Sequence, residues 1–374
     1  MPLPQILGTL RALADPRQVG YLIFYVTNRC NFSCDFCFYH EEIAKGRKDD
    51  ELAVDEIERL AAKLGPLAQL SLTGGEPFIR PELIEIATAF LTHTHARWVT
   101  IPTNGWFSER VERALDVLTA RFPTSNFRVV LSVDGIESQH DVERQAPGSW
   151  QRLCETYAAV DRLRRRRENL VLDANTVYSS RTQAHVLAIL RALDERFAFD
   201  NLSLTYTRGR LRDRALEPTL HEPYQRARQL ILERARRDEG RALSSVWRAV
   251  DDVSHELLAR VVFEDRFAVP CVAGRKLVVV GETGDVFPCE VLGTRVGNVR
   301  DVDYDLHRLL AAPLNERLVR WIRDSRCKCS FECAHAANTV WNRSAYPAIG
   351  RAWLRNALRR TTHEALGPAQ APGT

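Results

Sequence analysis

An α/β fold built on a parallel sheet is what this chain predicts, and three observations carry it. Residues 21–26 (YLIFYV) form a continuous apolar and aromatic run, the pattern of a strand buried on both faces. From there to Thr205, short apolar strands alternate with segments of helical periodicity. Glycine, cysteine and polar residues gather just after the strands, at the end where parallel sheets bind ligands.

The elements follow in order. Residues 1–18 read as a short helix stopped at Asp15-Pro16. Strands are expected at 21–26, 70–72, 98–101, 127–133, 170–177 and 202–205. Helices are expected at 54–64, 81–91, 108–118, 151–164 and 184–197. Residues 211–262 turn charged and helical and read as a bridge of amphipathic helices, with Leu230, Ile231 and Ala235 inward and the Arg and Glu residues solvated. Residues 367–374 (GPAQAPGT) have nothing to pack and read as a disordered tail.

Composition bounds the function. At 374 residues the chain suggests two domains, and 45% hydrophobic with 27% charged residues is ordinary for a globular protein. With 52 basic and 48 acidic residues the net charge is +4, too mild to point to nucleic acid. The densest basic run, RLRRRR at 162–167, follows a helical segment and reads as a solvated face. Residues 1–17 lack the pattern of a signal peptide, and no run of 18 apolar residues occurs, so the expectation is a cytoplasmic protein without a membrane partner. In that reducing compartment nine cysteines read as metal ligands rather than disulfides. Lone Cys154 sits among helical residues and reads as buried packing.

Three of those cysteines, Cys30, Cys34 and Cys37, follow the first strand in a C-x3-C-x2-C spacing. An odd set this tight is no disulfide framework, and soft thiolates select zinc or iron–sulfur clusters. Three thiolates on a four-iron cluster leave one iron open to a substrate or cofactor. A zinc knuckle completed by His40 is the competing reading. One strand later, Thr73-Gly74-Gly75-Glu76-Pro77 offers two glycines that permit close backbone approach and a carboxylate beside them.

The cysteine loop, with Phe36 before its last cysteine, and the GGEP turn in this order resemble the radical S-adenosylmethionine (radical SAM) enzymes. The resemblance covers residues 20–210 and implies a partial (β/α)6 barrel. It implies a 4Fe–4S cluster on Cys30, Cys34 and Cys37 and S-adenosylmethionine bound beside Gly74, Gly75, Glu76 and Pro77. Ser132 and Asp134 would then face the cofactor ribose, and Arg144, in His140-Asp141-Val142-Glu143-Arg144, the methionine carboxylate through a bidentate fork. Asn104, Asn175 and Arg208 stand at strand ends, either as cofactor or substrate contacts or as helix caps.

Five more cysteines lie at 271–333. Cys271 precedes a β-hairpin formed by 276–280, a turn at 282–285 and 286–289, so that Cys271 and Cys289 flank it. Gly297-Asn298 and an amphipathic helix at 306–318 lead to Cys327, Cys329 and Cys333. This order resembles the SPASM or twitch auxiliary-cluster domains of one radical SAM branch, although C-x-C-x3-C is tighter than their usual spacing. Five thiolates supply one four-thiolate cluster and leave one over, without specifying which. Structural zinc is the alternative, and His335, expected on an exposed loop, could join either metal. In some enzymes of the branch this region resembles, a carboxylate at the position of Glu290, beside Cys289, faces the substrate as a base, which makes Glu290 the candidate base, with a surface carboxylate as the alternative.

The expected organisation is an N-terminal helix at 1–19, the barrel at 20–210, a helical bridge at 211–265, a small α+β auxiliary-cluster domain at 266–345 and a C-terminal helix with tail at 346–374. The resemblance implies reductive cleavage of S-adenosylmethionine and hydrogen-atom abstraction from a substrate. A peptide or protein is the first candidate, a sugar, alcohol or lipid precursor the second, with a reductase such as flavodoxin or ferredoxin as electron donor. A non-catalytic iron–sulfur carrier is a distant third, since it has no need of the GGEP, SVDG and HDVER segments.

Overall fold

The computed structural model describes residues 14–46, 48–218, 220–237 and 242–366. Most of the expected N-terminal helix and all of the tail from Gly367 lie outside the described residues. Six parallel strands stand side by side in chain order: β1 (Tyr21–Thr27), β2 (Gln69–Gly74), β3 (Trp98–Thr103), β4 (Asn126–Ser132), β5 (Leu170–Tyr178) and β6 (Asn201–Tyr206). The sheet does not close, so the barrel is partial.

Alternation along the strands sorts the two faces. Leu22, Phe24, Leu70, Leu72, Val99, Ile101, Phe127, Val129 and Leu131 share one apolar core. The buried faces of α2 (Val54–Leu64), α3 (Leu83–Thr94), α4 (Ser108–Arg121) and α7 (Val186–Arg196) complete it. Two shorter helices were not foreseen: α1 (His40–Lys45), directly after the cysteine loop, and α5 (Ser138–Arg144), which carries the HDVER segment before α6 (Ser149–Arg164).

On the concave face, β1 contributes Tyr21, Ile23 and Tyr25, which pack with residues from the other end of the chain: Val272, Leu277, Val279, Phe331, Ala334 and Ala337. The expected bridge is present as α8 (Glu222–Arg237) and α9 (Ala242–Phe263). Ile231 is buried as expected, but so are two arginines. Arg228 meets Asp251 at 2.9 Å and Arg234 meets Asp194 at 2.7 Å, which explains why these charges leave water.

The C-terminal hairpin is not a separate sheet. Its first strand, β7 (Leu277–Val280), pairs parallel to β1, with Ile23 opposite Val279. Strands β8 (Asp285–Phe287) and β9 (Gly297–Asn298) then add antiparallel, giving the order β6-β5-β4-β3-β2-β1-β7-β8-β9. The expected helix at 306–318 is two: α10 (Leu306–Leu310) and α11 (Pro313–Asp324). Pro313 at the start of the second lacks the N–H that a continuous helix would need. Cys333 and His335 lie on α12 (Glu332–Trp341), which packs with α9, and α13 (Tyr346–Leu366) packs along α9 as well.

Because β7 borders β1 directly, the C-terminal segment and the barrel should unfold together. Leu277, fully buried, should cost about 2–5 kcal/mol on change to Ala. Urea denaturation followed by circular dichroism and by tryptophan fluorescence should show one transition moved to lower urea. Separate transitions for the two probes would contradict the continuity.

Candidate functional site

Strand β1 delivers the cysteine loop, and the turn after β2 closes on it. At Gly74 (φ +150°) a Cβ would stand 2.2 Å from the Thr27 carbonyl oxygen, and at Gly75 one would stand 2.3 Å from that of Arg29. No side chain fits either gap, which is the physical reason for the glycine pair. From the other side Glu51 is buried and takes Arg80 at 2.7 Å, Arg29 at 3.1 Å and the Thr27 hydroxyl. Arg80 also donates to the carbonyls of Val26 (3.1 Å) and Leu52 (2.7 Å). The root of the loop is therefore clamped by backbone contact on one side and charge-assisted bonds on the other.

Cys30, Cys34, Phe36 and Cys37 line a cavity of about 220 Å³ together with Gly74, Gly75, Glu76, Pro77, Asn104, Ser132, Arg144 and Arg208. Nine of the expected cofactor contacts thus face one space. Burial pushes all three thiols up, Cys30 to about 12, and Arg144 partly offsets this at Cys34. His40 turns Nδ1 to the Cys37 carbonyl, 2.9 Å away, and so braces the loop.

Two expected contacts stand elsewhere. Asp134 is fully buried; its carboxylate accepts from Val177 N at 2.6 Å and pairs with Arg144 at 2.5 Å. It fixes the arginine rather than bordering the cavity. Asn175 accepts from Ser203 (2.9 Å) and Thr205 (2.7 Å), tying β5 to β6. Arg144 is held between Asp134, the Cys34 sulfur at 3.9 Å and the ring of Phe36 at 5.3 Å. Glu76 accepts from Asn104 N (2.7 Å), Thr103 (2.8 Å) and Phe78 N (3.1 Å), so it joins two strand ends. Burial nonetheless raises its pKa to about 7.

Glu290 lies behind the cavity. Tyr25 donates to one oxygen at 2.7 Å, and Arg208 approaches the other at 2.9 Å. Arg208 stacks over Phe38 at 4.2 Å and Phe331 at 5.1 Å. Tyr25, Tyr39, Tyr206 and Thr207 also line the cavity, and no motif marks the last three. Tyr25 was within reach, because strand alternation puts it on the face opposite Phe24.

A second cavity, about 160 Å³, is lined by Cys271, Cys289, Cys327 and Cys329. The thiols surround a volume rather than a point: among the described residues no three Cys, His, Asp or Glu groups stand close enough to share one ion. A four-iron cluster takes one thiolate per iron and needs such a volume. Burial and the neighbouring thiols push Cys289 to about 11 and Cys329 to about 12. Iron binding would have to displace those protons. The odd cysteine is Cys333. It packs with the concave face of β1, and Glu290, Arg208, Glu332 and the Tyr21 hydroxyl surround it. His335, expected on an exposed loop, is buried on α12 and lines the thiol cavity.

Elsewhere the basic run is largely met by acids: Arg164 by Asp161 and Asp200, Arg165 by Asp161 and Arg167 by Asp116. Cys154 is half-buried on α6. Among the described residues no helix is long and apolar enough to cross a membrane.

Residues 24–193 match the profile of the radical SAM superfamily. Among curated proteins, the GTP 3',8-cyclase of Actinobacillus pleuropneumoniae serotype 7 (strain AP76) is 31% identical over 125 residues, 33% of this chain and 35% of the relative. The GTP 3',8-cyclase of Peptoclostridium acidaminophilum is 27% identical over 141 residues, 37% of this chain and 42% of the relative. The matched segment therefore spans 35% and 42% of those two relatives. Native anSMEcpe with bound AdoMet and Cp18Cys peptide aligns over 90% of this chain and 99% of its own, with TM-score 0.56 and 16% identity. Streptococcus suis SuiB bound to S-adenosylmethionine aligns over 82% of this chain and 68% of its own, with TM-score 0.57 and 17% identity. At these identities the structural likeness speaks for the fold.

Two outcomes follow from this geometry. Cys333→Ala should retain the iron of the unsubstituted protein after anaerobic reconstitution, whereas Cys289→Ala should lose about four irons, as read by iron analysis. For Glu76 the folded pKa lies above the unfolded one, so its contribution to apo-protein stability is complete below pH 4.5 and is lost as pH rises through about 7. Thermal melts at pH 5.5 and 8 should therefore converge in Glu76→Gln relative to the parent protein.

Proposed function

From the premise that this chain carries a radical SAM domain, we propose an enzyme that cleaves S-adenosylmethionine reductively and abstracts a hydrogen atom from a peptide or protein substrate. The observation that carries the reading is the single cavity shared by Cys30, Cys34 and Cys37, the Gly74–Gly75 turn, Ser132 and Arg144. A cluster on the three cysteines supplies, when bound, the electron that releases methionine and a 5'-deoxyadenosyl radical.

The chain's own residues do the positioning. Arg144, held by Asp134, presents a guanidinium suited to the cofactor's methionine carboxylate. The backbone at Gly74 and Gly75 and the Glu76 carboxylate suit its ammonium, whose charge would draw the raised pKa of Glu76 back down. Ser132 offers a hydroxyl toward the ribose. Phe32, Phe36, Phe38 and Tyr39 wall the space and exclude water from a reactive intermediate. In this reading Glu290, oriented by Tyr25 and Arg208, would take a proton from a substrate that displaces Arg208.

The peptide reading is supported by the likeness to peptide-bound anSMEcpe, which extends through the C-terminal segment as well as the barrel. A small-molecule substrate is the second reading, supported by the GTP 3',8-cyclase relatives of the barrel segment. A reductase such as flavodoxin or ferredoxin is the proposed electron donor.

Anaerobically reconstituted protein should bind about eight irons and, with dithionite and S-adenosylmethionine, form 5'-deoxyadenosine. Cys30→Ala, Cys34→Ala and Cys37→Ala should each abolish that product. Glu290→Gln should still form it while failing to modify substrate. Stimulation by a short precursor peptide, rather than by nucleotides or sugars, decides between the two substrate readings.

A further inference from the structure

His335 is the polar group in the second cavity that its surroundings leave without a role. The residue is 6% exposed, and its ring lines the same space as Cys271, Cys289, Cys327 and Cys329. Nε2 lies 2.8 Å from the Cys329 carbonyl oxygen. That oxygen only accepts, so Nε2 carries the proton, and in a neutral ring Nδ1 is the bare nitrogen. Nδ1 is buried and has no hydrogen-bond partner. An unpaired acceptor in a dry site is costly unless something binds it. Imidazole nitrogen is an established iron donor, alone or in company with thiolates.

The four thiols are not equivalent. All four are half-buried, but burial raises the Cys289 and Cys329 thiols to about 11 and about 12, whereas Cys327 is the most open of the set and precedes Lys328, which reaches outward to Asp265 at 2.5 Å. Cys327 is held to α11 by its N–H, which donates to the Ile322 carbonyl at 3.0 Å. Four thiols, one of them at the open side, and a buried bare nitrogen make five donors around a space that a four-iron cluster would fill with four.

We propose that His335 Nδ1 is a ligand of this second site, able to hold the fourth iron in place of Cys327. The inference rests on the iron–sulfur reading of the second cavity, and it makes that site one whose fourth ligand can alternate between thiolate and imidazole. Replacing an anionic thiolate by a neutral imidazole lowers the cluster's negative charge, and its reduction potential rises.

The test is iron analysis with electron–nuclear double resonance on reduced protein carrying 15N-histidine. Cys327→Ala should keep about eight irons, show a histidine nitrogen coupling and have the auxiliary potential displaced upward. His335→Ala should also keep about eight, held by four thiolates, and show no such coupling. Cys327→Ala/His335→Ala should fall to about four, those of the Cys30 set. Loss of the auxiliary iron in Cys327→Ala alone, or its retention without nitrogen coupling, would overturn the proposal. So would its loss in His335→Ala alone, which would make the ring a support of the cavity wall. Failure of the underlying reading shows separately, as an unsubstituted protein that binds only about four irons or none.

Discussion

Strand β1 has no free side, and the rest of the structure depends on that constraint. One face is covered by the outer helices, the other by the C-terminal segment, one edge pairs with β2 and the other with β7. Every residue from Tyr21 to Thr27 is buried. The loop that leaves such a strand starts from a fixed point. Gly74 and Gly75 then bring a second loop against it at a distance that side chains would forbid. The first thiol set owes its position to this packing before any cofactor arrives, which is the form preorganisation takes here.

Charge is arranged on the same scaffold by pairing. Three buried carboxylates, Glu51 with Arg80 and Arg29, Asp134 with Arg144, and Glu290 with Arg208, make four carboxylate–guanidinium pairs near the first cavity and the root of its loop. Isolated, each charge would be costly to bury; paired, Asp134 and Glu290 fix Arg144 and Arg208, which border the cavity, and Glu51 fixes the arginines at the root of the loop. Removing one partner would leave the other uncompensated, so these pairs act as positioning devices more than as sources of stability.

Much of this was legible in the sequence. The run at 21–26, the helical spacings and the order of the motifs led to the parallel sheet, and the cysteine spacing with the GGEP turn led to the first cavity. What stayed hidden depended on long-range packing. Nothing local to Asp134 says that its carboxylate turns from solvent to Arg144, and nothing in the hairpin pattern says that its first strand docks on β1. The same holds for Cys333 and His335. Two residues apart on one helix, they face different surroundings, a matter of helical rotation that spacing between cysteines does not encode. Pro313, by contrast, marked a break that the apolar periodicity of 306–318 concealed.

The continuity of the sheet through β1 and β7 has a consequence for electron flow. Cys30 follows one of these neighbouring strands, and Cys271 and Cys289 flank the hairpin that begins with the other. The separation of the two thiol sets is thus a property of one hydrogen-bonded sheet, not of two bodies joined by a linker. Tunnelling between centres held in this way would proceed at a fixed distance, without waiting for one domain to swing toward the other.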